Sequence, residues 1–471
     1  MMQLSVQDVQ RHTGASLHQL EADAAATLQL QGVSMDSRSV QPGNLFVALP
    51  GARAHGHDYL AAARHAGATA ALVSAAQAVP IPQLVVADVA QALATLARCW
   101  RESLPVTVIG ITGSNGKTTV KEMLAAILRR ALPDDAWLAT AGNYNNELGV
   151  PLTLLRLQQQ HQFAVIEMGC GQPGDIEFLA QLAQPQIGIV TSVGPAHLQR
   201  LGDLTGVATT KSELFTSLPS DGLALFPAAT EHAEILRRAA ACMLQTVAEQ
   251  DAREAADVRW QRRGDELAVR TASTTIHTTL ALPGPHHASN AALAVAAALA
   301  LDIAPAHIAA GLADMQAMPG RGEVLPGVAG SVIINDSYNA NPASLAAAIS
   351  SLRSAFPAHE GWLVLGDMGE LGEHAEALHA RSGQAARDAG LSRLFACGPL
   401  AAHAATAFGE GACAFADQAA LLAALKPQLH ANVALLVKGS RSAGMERLVT
   451  TLAAHGEGQQ AANGAQTQEA C

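Results

Sequence analysis

The stretch Val106-Thr107-Val108-Ile109-Gly110-Ile111-Thr112-Gly113-Ser114-Asn115-Gly116-Lys117-Thr118-Thr119-Val120 decides how the chain is read. It opens with a β-branched run, Val106 to Ile111, turns through glycines, and continues into a segment with Met123, Leu124, Ile127 and Leu128 at helical spacing. Strand, loop and amphipathic helix follow one another directly. In that context glycines let backbone N–H groups turn inward around phosphate oxygens at a helix N-terminus. Lys117 supplies a point charge for terminal phosphates, and the Thr118 hydroxyl can ligate Mg²⁺. The usual G-x-x-x-x-G-K-[ST] spacing would place a glycine at position 111, where Ile111 stands, with Gly110 and Gly113 on either side. The alternative is a glycine-rich turn that binds nothing, but the Gly-Lys-Thr-Thr ending in this context favours a nucleotide.

Working outward, further short apolar runs begin at Phe163, Ile187, Val332, Trp362 and Val433 and alternate with longer helical patterns. Such alternation predicts an α/β fold built on parallel sheets with crossover helices. The chain has 471 residues, which is room for two to four domains. Turn residues divide it into a small α/β unit over 1–104, a central unit with the phosphate loop over 105–320, and a third α/β unit over 321–455. The tail 456–471, rich in Gln, Ala and Gly, has too little apolar content to order itself and is expected to be disordered.

Composition excludes several classes of function. The chain is 49% hydrophobic and 15% charged, so a disordered or fibrous protein is ruled out. No apolar run reaches the length of a membrane-spanning helix, and no export signal opens the sequence. The net charge of -11 argues against nucleic-acid coating, so an anionic ligand has to be held by local features. Six cysteines are scattered without a CxxC pair, which predicts no disulfide framework and fits a reducing cytoplasm. Two histidine pairs are set aside as metal sites. His374 and His379 are five apart rather than four, and the adjacent His286 and His287 are expected to point apart. No zinc is expected.

Strand ends carry the remaining chemistry. Glu167 closes the run Phe163–Ile166, and His197 follows Ile187–Thr191 after a Val193-Gly194-Pro195 turn. In an open parallel sheet the carboxyl ends of strands line one crevice, so Thr118, Glu167 and His197 are expected to converge on phosphate and metal. In the third unit Asn335, Asp336 and Asn339 follow a strand, Asp367 follows another, and Lys438-Gly439-Ser440-Arg441 a third.

Taken in order, these motifs resemble the Mur ligase family of ATP-dependent amide-forming enzymes. The resemblance rests on Gly113 to Thr119, Gly142-Asn143-Tyr144-Asn145-Asn146-Glu147-Leu148-Gly149-Val150-Pro151, Glu167-Met168-Gly169, Val193-Gly194-Pro195-Ala196-His197 and Lys211-Ser212-Glu213. In the third unit Asn335-Asp336-Ser337-Tyr338-Asn339-Ala340-Asn341-Pro342 and Gly366 to Gly372 resemble members that add D-alanyl-D-alanine. Sibling ligases show an Asp-Asn-Pro-Arg or an Asp-Gly-Ala-His-Asn-Pro stretch, and neither occurs here.

The resemblance implies three domains: an N-terminal UDP-precursor domain, a central P-loop ATPase-like sheet and a C-terminal Rossmann-like domain. It implies ligation of D-alanyl-D-alanine to a UDP-N-acetylmuramoyl-tripeptide through an acyl phosphate. A sibling ligase, or a P-loop ATPase driving a conformational switch, are the competing readings. By the same resemblance Lys117, Glu167, His197 and Lys211 are catalytic, and Thr118, Glu167, His197 and Lys211 hold magnesium, two ions being expected. Gly113, Ser114, Asn115, Gly116, Lys117, Thr118, Thr119, Asn290, Arg321 and Asp336 bind ATP. Ser37, Arg38, Phe46, Asn143, Asn145, Asn146, Asn339, Lys438, Ser440 and Arg441 bind the other substrates. Because an ammonium is a poor magnesium ligand, the family implies that Lys211 is carbamylated. A cytoplasmic monomer acting on small molecules is expected.

Overall fold

The computed structural model describes residues 1–51 and 55–454. The tail expected to be disordered, 456–471, lies outside the described residues. Three sheets stand in chain order, each within one of the three sequence units. The first has five strands in the order Ser16–His18, Gln83–Val85, Ala70–Val73, Leu45–Val47, Val33–Ser34, parallel except at the Ser16–His18 edge. A separate antiparallel pair, Gln3–Ser5 with Gln29–Gln31, accompanies it.

The central sheet has nine strands. Its parallel part runs Val258–Arg263, Met243–Glu249, Leu223–Pro227, Ile187–Val190, Thr107–Thr112, Phe163–Glu167, Trp137–Ala139. Two antiparallel strands, Glu266–Arg270 and Thr275–Thr279, extend one edge. These were not anticipated from the alternating pattern, because their buried apolar residues are few, Leu267 and Val269 in one strand and Ile276 in the other, each flanked by polar residues. Side chains of Thr107–Thr112 alternate between two cores. Val108 packs with Leu154, Ile176 and Leu214 on one face, while Ile109 and Ile111 pack with Met123, Ile127 and Leu293 on the other. Period-two alternation on a sheet covered by helices on both faces explains the β-branched run.

The register positions the chemistry. Glu167 pairs with Ile111, and Val190 pairs with Thr112, so three strands end level beside the glycine-rich loop. In the third sheet the order is Glu323–Pro326, Val332–Asp336, Val433–Lys438, Glu360–Gly366, Arg393–Cys397, Ala412–Phe415, and only the first strand is antiparallel. There Asp336 pairs with Lys438 at the ends of adjacent parallel strands.

The first unit is fused to the second. Met2, Leu30, Leu93 and Leu96 share one continuous core with Val108, Leu154 and Phe215. At the end of helix Val89–Glu102, Trp100 Nε1 donates to Leu157 O at 3.1 Å. The buried Arg101 donates from Nε to Ala183 O at 2.9 Å, from Nη1 to Leu104 O at 3.2 Å and from Nη2 to Gln184 O at 3.3 Å. Among the described residues no helix is long and apolar enough to cross a membrane.

Candidate active site

The glycine-rich loop is shaped by backbone requirements that side chains forbid. Gly113 has φ +148°, and a Cβ there would lie 1.9 Å from Thr191 Oγ1. Gly116, the cap of helix Lys117–Ala131, has φ +88°, and its Cβ would meet Asn290 Oδ1 at 2.8 Å. The segment after the neighbouring strand braces the loop. Ser114 Oγ donates to Gly194 O at 2.9 Å, Asn115 N donates to Ser192 Oγ at 2.9 Å, and Ser114 N donates to Ser192 O at 3.0 Å. Loop and helix N-terminus together face a cavity of about 1200 Å³ between the central and C-terminal sheets.

Lys117 reaches back over the loop, donating from Nζ to Gly113 O at 2.7 Å. Burial pushes its ammonium down to about 8, and the nearby positive charge of Lys211 adds to the shift. A cation held in a site that disfavours it is primed for phosphate, which supplies the missing negative charge. Glu167 is buried; its Oε1 accepts from Asn145 Nδ2 at 2.7 Å, while Oε2 is buried without a partner among the described residues. Thr118, also buried, lines the same cavity.

His197 takes a left-handed conformation, φ +54°, at the start of a short turn of helix, and its Nδ1 lies 2.6 Å from Glu370 Oε2. Burial lowers its pKa, partly offset by Glu370, while Lys117 and Lys211 lower it further. Lys211 is only 2% exposed, and the Cys170 sulfur at 3.6 Å is the one hydrogen-bond acceptor its ammonium finds among the described residues.

Across the cavity, Lys438 donates to Asp336 Oδ2 and to Asn339 O, the latter at 2.9 Å. Burial raises the Asp336 pKa, and Lys438 opposes that shift. Arg321 stacks on Tyr338, its guanidinium carbon 3.9 Å from the ring centre, and Arg441 approaches the same ring at 5.7 Å. Asn341, the N-cap of helix Pro342–Ala355, is amide-paired with Asn115 of the glycine-rich loop.

Of the residues singled out in the sequence, Ser114 to Thr119, Asn143, Asn145, Asn146, Glu167, His197, Lys211, Asn290, Arg321, Asp336, Asn339 and Lys438 line this one cavity. Gly113, the other predicted loop residue, does not line it. Ser37, Arg38 and Phe46 stand elsewhere, in the first unit. Arg38 is paired with Asp36 at 2.8 Å, and Phe46 is buried in an apolar core, so its ring presents no face to a ligand. Ser440 acts within its own domain, accepting from Gly369 N at 2.5 Å, and Asp367 Oδ1 accepts from Ala401 N at 2.7 Å. Arg441 is exposed beside Glu446.

One expectation is corrected. His286 and His287 do not point apart: their ring centres lie 4.1 Å from each other in the first turn of helix Pro285–Ala300, and both line the cavity. Helical backbone splays adjacent Cβ atoms by about 100°, yet two flat rings can swing together when both are pressed into one cleft. Burial lowers both, His286 to about 4, so the pair is neutral. Sequence reasoning also passed over Asn341, Tyr338 as an arginine platform, and Glu370. Only Asn341 carried a local signal, since Asn-Pro is a helix-start pattern.

Models of three domains match the chain in order. The "Mur ligase family, catalytic domain" matches 29–101, the "Mur ligase middle domain" matches 111–298, and the "Mur ligase, glutamate ligase domain" matches 320–441. The UDP-N-acetylmuramoyl-tripeptide--D-alanyl-D-alanine ligase of Escherichia coli K12 is 38% identical over 438 residues, covering 92% of this chain and 95% of that protein. The chain belongs to the Mur ligase family. Among solved structures, MurF from Acinetobacter baumannii superposes on this Mur ligase with a TM-score of 0.86 at 32% identity, covering 96% of this chain and 99% of that one. MurF ligase from Thermotoga maritima, solved in complex with ADP, gives a TM-score of 0.78 at 25% identity, covering 89% and 96%.

The donor set of this Mur ligase suits a hard cation at one place. Glu167 Oε2, buried and unpartnered, is a carboxylate oxygen awaiting a positive partner, and the Thr118 hydroxyl lines the same cavity. Among the described residues no three His, Cys, Asp or Glu side chains converge as a metal cage. Such an arrangement suits Mg²⁺, which takes one or two protein oxygens and draws the rest from phosphate and water. At His197 the Glu370 carboxylate holds Nδ1 and leaves Nε2 as the ring's donor, whereas at Lys211 the fit is poor because an ammonium donates no lone pair.

Proposed function

We propose that this Mur ligase joins D-alanyl-D-alanine to a UDP-N-acetylmuramoyl-tripeptide at the expense of ATP, through an acyl phosphate. The observation that carries the reading is the 38% identity to the Escherichia coli ligase of that name across 92% of the chain. The cavity between the two larger domains supports it, with a phosphate cradle on one wall and polar strand ends on the other. The domain limits that go with the reading are 1–104 for the UDP-precursor domain, 105–320 for the ATP-binding domain and 321–455 for the C-terminal domain.

Amide formation from a carboxylate and an amine is uphill in water, so the carboxylate is first converted to a better acyl donor. Its oxygen attacks the γ-phosphorus, ADP leaves, and the amine of the dipeptide then displaces phosphate. The obstacle is charge. Two like unit charges about 4 Å apart repel by about 4 kcal/mol at an effective dielectric of about 20. At about 1.4 kcal/mol per tenfold, that repulsion is worth nearly three decades of rate.

Residues of this chain meet it in named ways. Backbone N–H groups of Gly116 to Thr119 turn toward the phosphates, and Lys117, released from the Gly113 carbonyl, sets its charge on the terminal ones. Thr118 and Glu167 would hold Mg²⁺, which when bound neutralises the β and γ phosphates. Carbamylation of Lys211 would replace a repelling ammonium with two oxygens, giving a second ion near His197 the donors it otherwise lacks. Asn290, Arg321 and Asp336 hold the nucleotide from the side of the third domain. Asn143, Asn145, Asn146, Asn339, Lys438, Ser440 and Arg441 belong to the surfaces that take the peptide substrates, and Ser37, Arg38 and Phe46 to the domain that takes the UDP end. Phe46 does so from within the core, by shaping the sheet rather than by touching ligand.

The test is ADP release with a panel of UDP-peptides against single amino acids and D-alanyl-D-alanine. Turnover only when UDP-tripeptide and the dipeptide are both present is expected. Phosphate release from ATP and Mg²⁺ alone would instead favour an ATPase switch, and turnover with a single amino acid a sibling ligase.

A further inference from the structure

We propose that Cys170 and Lys211 form a thiol–amine redox pair, which peroxide closes into a sulfur–nitrogen link and thiol reductants reopen. Nothing in the ligase reaction uses Cys170. Cys170 nevertheless lines the cavity, and its Sγ lies 3.6 Å from Lys211 Nζ. Lys211 is 2% exposed, and this sulfur is the sole acceptor its ammonium meets among the described residues. Two reactive groups are thus pressed together, with open volume beside the thiol through which a small oxidant reaches it.

The loop holds the sulfur in place. Gly169 N donates to Asn145 O at 2.7 Å, and Gly171 N donates to Asp175 Oδ2 at 2.7 Å, fixing the backbone on both sides of Cys170. The lysine stem supplies the movement, since four rotatable bonds let Nζ advance from contact to bonding distance. Other described cysteines, Cys99, Cys242, Cys397 and Cys413, are free thiols as well, but no lysine contact of this kind is formed by them among the described residues.

The chemistry balances. Hydrogen peroxide oxidises the Cys170 thiol to a sulfenic acid and is reduced to water. The Lys211 amine, its ammonium proton given to solvent, attacks sulfur with its lone pair. The S–O bond breaks, and the hydroxyl leaves with one amine proton as water, so an S–N bond forms. A dithiol reverses the step, returning thiol and amine while itself becoming a disulfide. The link itself is independent of the ligase reading; only its effect on turnover rests on it, because a linked amine cannot be carbamylated.

The experiment treats the full-length protein with mild peroxide, digests it and analyses the peptides by mass spectrometry, with ligase turnover followed in parallel. Expected is a linked pair of peptides containing Cys170 and Lys211, at their summed mass less two hydrogen atoms, absent after dithiothreitol. Turnover is lost on oxidation and regained on reduction. Cys170→Ser retains turnover, forms no link and resists peroxide. Oxidised protein with a sulfenic or sulfinic acid at Cys170 and no link would overturn the proposal, as would equal peroxide sensitivity in Cys170→Ser. Because the mass readout needs no substrate, failure of the ligase reading leaves it intact.

Discussion

Asn115 and Asn341, 226 residues apart in sequence, exchange two side-chain hydrogen bonds across the cleft, at 3.3 Å from Asn115 and 2.9 Å from Asn341. One sits in the phosphate loop and the other caps helix Pro342–Ala355, where its Oδ1 also accepts from Ser344 N at 2.8 Å. The pair ties the C-terminal domain to the loop that is to carry the nucleotide.

Replacing Asn341 by Asp keeps the cap but removes the amide donor. A drop in kcat/KM of about fivefold, equivalent to about 1 kcal/mol, is expected with little change in Tm. Asn341→Ala should add about 1 kcal/mol of instability through the lost cap. A double-mutant cycle with Asn115→Ala, read in kcat/KM, should show coupling of about 1 kcal/mol. Additive effects would mean that the pair is not formed during turnover.

Gly113→Ala combines a positive φ with a Cβ that would lie 1.9 Å from Thr191 Oγ1. Backbone strain and overpacking together should cost about 3 kcal/mol, visible as a lower urea midpoint, and nucleotide binding should vanish. An alanine variant that binds ADP like the parent would show that the loop is shaped differently.

Lys117 titrates at about 8 because it is buried and lies near Lys211. In the free protein the ammonium is therefore lost as pH rises through about 8, so nucleotide affinity should be flat below that value and fall by up to about tenfold per unit above it. Titration calorimetry checks this, and Lys117→Met should bind weakly with a flat profile. Stability moves the other way. Between about 8 and the ordinary lysine range the unfolded chain binds more protons than the folded one, so this residue's penalty is full below about 8 and fades as pH rises. The Tm advantage of Lys117→Met over the parent, without nucleotide, should shrink across that interval.

If Lys211 is carbamylated as proposed, Lys211→Ala should lower ligase turnover by about 100-fold or more, since the carbamate's two oxygen donors go with the amine. Acetate or formate at high concentration should restore part of it by supplying a carboxylate to the vacated space. Retained activity in the alanine variant would end the carbamate reading.

Arg101→Ala removes the donors to Ala183, Leu104 and Gln184 carbonyls at the joint between the first two domains. Leaving those oxygens unpaired should destabilise the protein by about 3 kcal/mol, measured by urea unfolding. A midpoint unchanged from the parent would mean that water replaces the guanidinium there.

Local chemistry made much of this protein legible from its sequence. The strand at Thr107–Thr112, the glycine turn and the helix from Lys117 are each specified within a few residues, because alternation, positive φ and helical periodicity are short-range properties. Glu167 could be placed for the same reason, at the carboxyl end of an apolar run beside the loop. The edge strands Glu266–Arg270 and Thr275–Thr279 escaped notice since their apolar content is short, Leu267 to Val269 and Ile276, and their other positions are polar.

What the tertiary structure alone decided lies in the meetings of side chains, within each unit and, for His197 and Glu370, across the cleft. The neighbours of His197 and Lys211 are Glu370 and Cys170, and the rings of His286 and His287 come together rather than apart. Phe46 is turned into a core rather than toward a ligand. No run of neighbouring residues encodes such meetings. They arise when helices and strands pack into each unit and the units pack together, bringing into contact side chains whose local sequences carry no mark of one another.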